Sequence, residues 1–330
     1  MRRRCIALAA AAVALLAAPA TAVTLTGVNL AGAEFGGIPG LFGTAYVYPE
    51  LREMRSFAAM GANVFRVPVK WERLQRTQGG ALEADEMARL DATIATATGM
   101  GVVVIIDVHN YARYMRKTLV TDGVPSSALA DLWRRLALRY KDNPRVAFGL
   151  MNEPVRIGAA EWAKVASEAV VAIRGTGARN LILVPGTAWT GAHSWRKLAG
   201  YVSNATAMTG FVDPGNNFAF EFHQYFDANS SGTSPNCVTP EIAERRVAVA
   251  TDWLRETGNR GFLAEFGVSR QPECQAVLAT VLKHLAANRE WLGWTVWASS
   301  ARFGSYPFNL YPFLQPAPPQ LDTIKPFLAR

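Results

Sequence analysis

Eight times along this chain a short apolar run, rich in Val, Ile, Leu and Phe, is followed by a loop and a segment patterned like a helix. The runs fall at 24–30, 63–68, 102–106, 146–150, 180–185, 217–222, 261–265 and 291–297. Between them, Met87, Leu90 and Ile94 keep helical spacing, as do Leu129, Leu132, Trp133 and Leu136. Further helices are expected over 49–60, 159–174, 240–256, 275–288 and 321–328, with a looser region around Trp189 and Trp195 after the fifth run. The run Val102-Val-Val-Ile-Ile106 has no polar face, so it must be covered on both sides, the habit of a parallel sheet flanked by helices. No linker or shift of composition divides the alternation. A single α/β domain, a (β/α)8 TIM barrel over 23–330, is therefore expected in place of two doubly wound domains, and 330 residues suffice for it.

The first 22 residues stand apart. Arg2, Arg3 and Arg4 precede an Ala/Leu/Val run, and Ala20-Thr21-Ala22 ends it with small residues, the pattern of a secretory signal peptide. Cys5 lies before the apolar run, which argues against a lipid anchor. The expected location is outside the cell or in the periplasm. Cleavage lowers the formal net charge from +8 to about +5, dispersed over helices, with no basic block to follow a phosphate backbone. Nucleic acid is thus not an expected partner. Nor is a membrane, since no later apolar segment is long enough to span one. Cys237 and Cys274 remain after cleavage, and an oxidising compartment predicts a disulfide between them.

In a barrel of this kind, chemistry belongs at the carboxyl ends of the strands. There the second run delivers Arg66, the third Asp107, His109 and Asn110, and the fourth Asn152 and Glu153. The sixth delivers His223 and Tyr225, the seventh Glu265 and the eighth Trp297. One strand-end carboxylate is commonly tied into an ion pair; six strands converging on one rim are harder to explain by packing. No His-x-His, His-Glu-x-x-His, Gly-x-Ser-x-Gly or phosphate-cradling Gly-Lys-Ser/Thr occurs, so neither a metal nor any other cofactor is expected. The remaining equipment is a carboxylate pair with amide, imidazole and aromatic support, suited to cleaving a glycosidic bond. Trp71, Trp189, Trp195 and Trp297 lie near strand ends or loops and are candidates to present flat apolar faces to sugar rings.

Taken with Gly27-Val-Asn-Leu-Ala-Gly32, Phe65-Arg-Val-Pro68, Asp107-Val-His-Asn-Tyr-Ala-Arg113, Phe148-Gly-Leu-Met-Asn-Glu-Pro154, Glu221-Phe-His-Gln-Tyr-Phe-Asp227 and Leu263-Ala-Glu-Phe-Gly267, the chain resembles glycoside hydrolase family 5 and its secreted endo-β-1,4-glucanases. The resemblance runs over nearly all of the mature chain. It implies a metal-independent, monomeric enzyme that cleaves β-glucan with retention, with Glu153 as acid/base and Glu265 as nucleophile. Arg66 would hold Glu265 ionised and lower its pKa, and Asn152 would bond the hydroxyl beside the reacting carbon. His109 and Asn110 would line the site, His223 and Tyr225 would orient the carboxylates, and Trp297 would lie beneath the sugar. Mannan, xyloglucan and mixed-linkage glucan stay open as substrates for the same machinery, and a silent glycan-binding barrel is the alternative from another class.

Overall fold

The computed structural model describes residues 23–329, so the expected leader lies outside the described residues. Eight parallel strands close into a barrel: β1 (Leu25–Leu30), β2 (Val64–Val69), β3 (Val103–Val108), β4 (Val146–Gly149), β5 (Ile182–Pro185), β6 (Phe218–Tyr225), β7 (Gly261–Gly267) and β8 (Trp291–Ser299). Each pairs with its neighbour in sequence, and β1 pairs with β8. Helices α1 (Leu51–Met60), α2 (Ala84–Gly99), α3 (Ser126–Tyr140), α4 (Ala159–Arg174), α5 (Pro240–Thr257) and α6 (Pro272–Ala287) occupy connections, a short helix at Asn204–Met208 lies between β5 and β6, and α7 (Pro319–Ile324) follows β8. The sequence expectation of a single (β/α)8 barrel therefore holds. β6 extends three residues past the end of its apolar run because His223, Gln224 and Tyr225 still pair with β7. No described helix is long and apolar enough to cross a membrane.

The alternation of side chains along each strand sorts the core. Val64, Ile105, Ala147, Leu183, Ala219, Phe262 and Ala264 form an apolar cluster of their own, which fills the barrel interior. A larger cluster, including Trp133, Trp162, Trp253 and Trp294, packs helices against the outside of the sheet. Two residues further along the same inward faces stand Arg66, Asp107 and Glu221, so the polar layer rests directly on the apolar one. β1 approaches β2 closely at Gly27, where a Cβ would lie 1.7 Å from the Val64 carbonyl oxygen, so only glycine fits. Cys237 and Cys274 are disulfide-bonded, joining the segment after β6 to the first turn of α6.

Candidate active site

β4 carries an apolar, buried segment as far as Met151, where the chain is clamped from both sides. The Asn152 N–H donates to the Val108 carbonyl at 2.8 Å, and the Tyr111 N–H donates to the Asn152 carbonyl at 3.0 Å. Glu153 follows with φ 43°, a left-handed conformation unusual for a residue with a side chain. This turn holds its carboxylate at the barrel mouth, 14% exposed.

Glu265 arrives on a bulged β7. Against both neighbours Ala264 is skipped in the register, Phe222 facing Leu263 and His223 facing Glu265 on one side, Trp294 facing Leu263 and Val296 facing Phe266 on the other. A bulge leaves carbonyls without ladder partners and re-aims the following side chain. Asn29, fully buried on β1, answers the first problem: its Nδ2 donates to the carbonyls of Ala264, Thr295 and Val296 at 2.8, 3.1 and 3.2 Å. Its Oδ1 accepts from Arg66 Nη1 at 3.0 Å.

Arg66, with no exposed surface, is the hub of the layer. Nη2 lies 3.1 Å from Asp107 and donates to Glu221 at 3.0 Å and to Asn152 Oδ1 at 2.9 Å; Nη1 reaches Glu265 at 3.4 Å. Burial opposes its charge, but the surrounding carboxylates more than compensate and hold the guanidinium above its already high pKa. His223 spans the other side. Its Nδ1 lies 2.9 Å from Glu153 Oε1 and its Nε2 3.1 Å from Glu221 Oε1. Both ring nitrogens meet carboxylate oxygens, so both carry protons. Burial works against this cation, yet Glu265, Glu153 and Glu221 prevail and push its pKa up to about 10.

Tyr225 donates to Glu265 Oε1 at 2.7 Å. Oxygens of Glu153 and Glu265 and a nitrogen of His223 all lie within 4.8 Å of one another. Three such groups are a possible metal cradle by composition, but a doubly protonated imidazole has no lone pair to offer a cation. One expectation is corrected here. Arg66 does pull the Glu265 pKa down, as do His223 and Tyr225, but burial and the Glu153 charge outweigh them and the net pKa is raised to about 7, not depressed. The two carboxylates share one site, so this titration belongs to the pair.

On the rim, His109 Nδ1 lies 2.7 Å from Asp107, and its ring stacks on Trp297 at 5.7 Å with planes 17° apart. Burial, with the nearby charges of Lys70 and Arg66, holds His109 well below the usual imidazole range, so it is neutral and donates from Nδ1. Trp189 is 60% exposed. It sits at the centre of three consecutive left-handed residues, Ala188, Trp189 and Thr190, which push its indole into the open. With Glu153, His223 and Tyr225 it lines a cavity of about 650 Å³.

Asn110 has a different place. Its Oδ1 accepts from the Trp71 N–H at 2.8 Å and its Nδ2 donates to Glu72 at 2.7 Å, so the amide is committed to holding the segment after β2. Trp71 and Trp195 do not face a cleft. Both are fully buried, Trp71 against Tyr114 and Trp195 among Phe220, Phe222 and Trp253. Asn29 and Glu221 escaped sequence reasoning, although a polar residue inside an apolar strand was the available signal for both.

Comparison with known proteins gives the family of the chain. Residues 18–301 match the cellulase family, glycosyl hydrolase family 5. Endoglucanase gh5-1 of Neurospora crassa is 35% identical over 87% of this chain and 72% of its own. Endo-beta-1,4-glucanase A of Emericella nidulans is 34% identical over 94% and 93%. The solved structure of XacCel5A in complex with cellopentaose superposes with a TM-score of 0.90 at 44% identity, covering 92% of this chain and 99% of that one. The chain accordingly belongs to glycosyl hydrolase family 5 and is a glycoside hydrolase.

Proposed function

We propose that the protein is an endo-β-1,4-glucanase that cleaves with retention of configuration, exported by its first 22 residues and acting as a monomer. The observation that carries the reading is the approach of Glu153 and Glu265, with carboxylate oxygens within 4.8 Å. A retaining pair stands about 5 Å apart, whereas an inverting pair leaves room for water between them. The relatives' names and the cellopentaose complex of XacCel5A support a β-1,4-glucan as the substrate.

In this mechanism Glu265 is the nucleophile. Arg66, Tyr225 and His223 all face it and favour its anion, while the protein engages Glu153 through His223 at Oε1, leaving Oε2 to carry the proton. The Glu265 carboxylate attacks the anomeric carbon as the glycosidic C–O bond breaks, and Glu153 passes its proton to the departing oxygen. Glu153, now a base, takes a proton from water. The hydroxide so formed displaces Glu265 from the same face the leaving group quitted, which restores the original configuration. Asn152 supports the sugar: its Nδ2 is buried without a partner among the described residues, a donor suited to the hydroxyl next to the reacting carbon. The Trp297 face beside His109 is the platform on the glycone side.

Glu153→Gln and Glu265→Gln test the assignment on an activated aryl cellobioside. Each should lose most turnover with the fold intact, and near-normal activity in both would overturn it. For Glu265→Ala, added azide should give a glycosyl azide of inverted configuration, because the small anion enters from the vacated face.

A further inference from the structure

The cleft beside Glu153 opens into a side arm that the chemistry above does not use. His193, Lys197, Asn229 and Ser230 line the Glu153 cavity, and the same four line a second cavity of about 450 Å³. Arg245 and Arg246 of α5 complete its basic wall, and no acidic side chain lines it. Arg246 is built in: it donates to the carbonyls of Tyr225, Asp227 and Ala228, and the Asp227 carboxylate lies near enough to favour its charge. Nearby Arg196 is paired with Glu256 at 2.7 Å, whereas Lys197 and Arg245 make no ion pair within 4.0 Å among the described residues, although the Arg245 charge is felt by Glu241. Glu241, one turn before Arg245, does not line the cavity. His193 Nδ1 meets Gln224 Oε1 at 3.0 Å. Burial lowers the His193 pKa, the Gln224 hydrogen bond opposes the fall, and the Lys197 and Arg246 charges add to it.

Glu153 lines the main cavity and Glu265 does not, so under the proposed mechanism this is the side of the departing sugars. We propose that the arm binds a carboxylate carried by a β-glucan chain on its leaving-group side, making acidic glucans preferred substrates. The inference rests on the endoglucanase reading. Arginine and lysine suit a carboxylate, and a substituent of a chain already held in the cleft gains the attraction without a separate association cost.

The test compares amorphous cellulose with the same preparation oxidised at C6 to carboxylate. Arg245→Gln combined with Lys197→Gln should lower the ratio of kcat/KM on oxidised to unoxidised substrate by about fivefold, through KM, with the difference gone at about 0.5 M salt. Arg245→Gln alone, at an exposed position, should move the ratio part of the way. An unchanged ratio, or equal losses on both substrates, would overturn the proposal while leaving the endoglucanase reading intact. Failure of the unaltered enzyme to cleave either cellulose would overturn both. Calorimetry with Glu153→Gln adds a binding readout: a C6-oxidised cello-oligosaccharide should bind tighter than its neutral parent and far tighter than free glucuronate. Equal binding of free glucuronate would detach the arm from the cleft and defeat the proposal.

Discussion

Asn29 Oδ1 accepts a hydrogen bond from Arg66 Nη1 at 3.0 Å, and this contact joins the bulged frame of the barrel to its buried charge. One amide, its two hydrogens shared among three strand carbonyls, thereby ties β1 to β7 and β8 and orients the guanidinium that reaches Glu265. Asn29→Ala removes the amide donor from those carbonyls, leaving Ala264 with only the Thr295 hydroxyl, and takes one acceptor from Arg66. Denaturant unfolding should show a loss of about 3 kcal/mol, and turnover should fall as well. A loss below about 1 kcal/mol would mean that the frame does not depend on this amide.

The strands were legible because a buried parallel strand must be apolar on both faces, and α4 begins and ends where its pattern does. Glu153, Glu265 and Arg66 were legible because charge at the end of such a strand needs a reason. Asn29 and Glu221 lie one step inside, where the apolar pattern hides them, although a carboxylate in a fully buried strand requires a cation and Arg66 was at hand. Asn110 could not be separated from Asn152 by type, because only the fold decides which amide meets protein and which is left unpartnered. The Glu265 pKa was misjudged for a similar reason. The sequence names its partners but not its depth, and depth prevails.

That depth sets the pH response. Because the Glu265 pKa is raised to about 7, the pair keeps a proton that exposed carboxyls would have lost, and gives it up as pH rises through about 7. The proposed mechanism needs that proton, so kcat/KM should decline about tenfold per pH unit above this point. Tyr225→Phe removes a hydrogen bond that favours the anion, so the decline should move to higher pH. Movement to lower pH would contradict the account.

The glycine-rich segment after β1 is pinned by Arg73. Its guanidinium donates to the carbonyls of Ala33, Phe35, Gly37 and Pro39 and lies 3.8 Å from the centre of the Tyr46 ring. Arg73→Met keeps the stem and removes the donors. Hydrogen exchange across residues 32–46 should quicken at least tenfold while exchange in β3 and β4 stays unchanged. Unchanged protection of the segment would show that it does not need the clamp.

The Cys237–Cys274 bond closes a loop with a sequence separation of 37. Chain entropy alone puts its contribution at about 4 kcal/mol. The double Cys→Ser variant should unfold at correspondingly lower denaturant while keeping most of its activity below the transition, since neither cysteine touches the carboxylates.

The pairing of Glu153 with Glu265 as acid and nucleophile is tested most directly by the anomer first released from a β-1,4-linked cello-oligosaccharide, followed by proton NMR before mutarotation. The β-anomer of the new reducing end should appear first and the α-anomer only later. An initial α-anomer would show inversion and contradict the role given to Glu265.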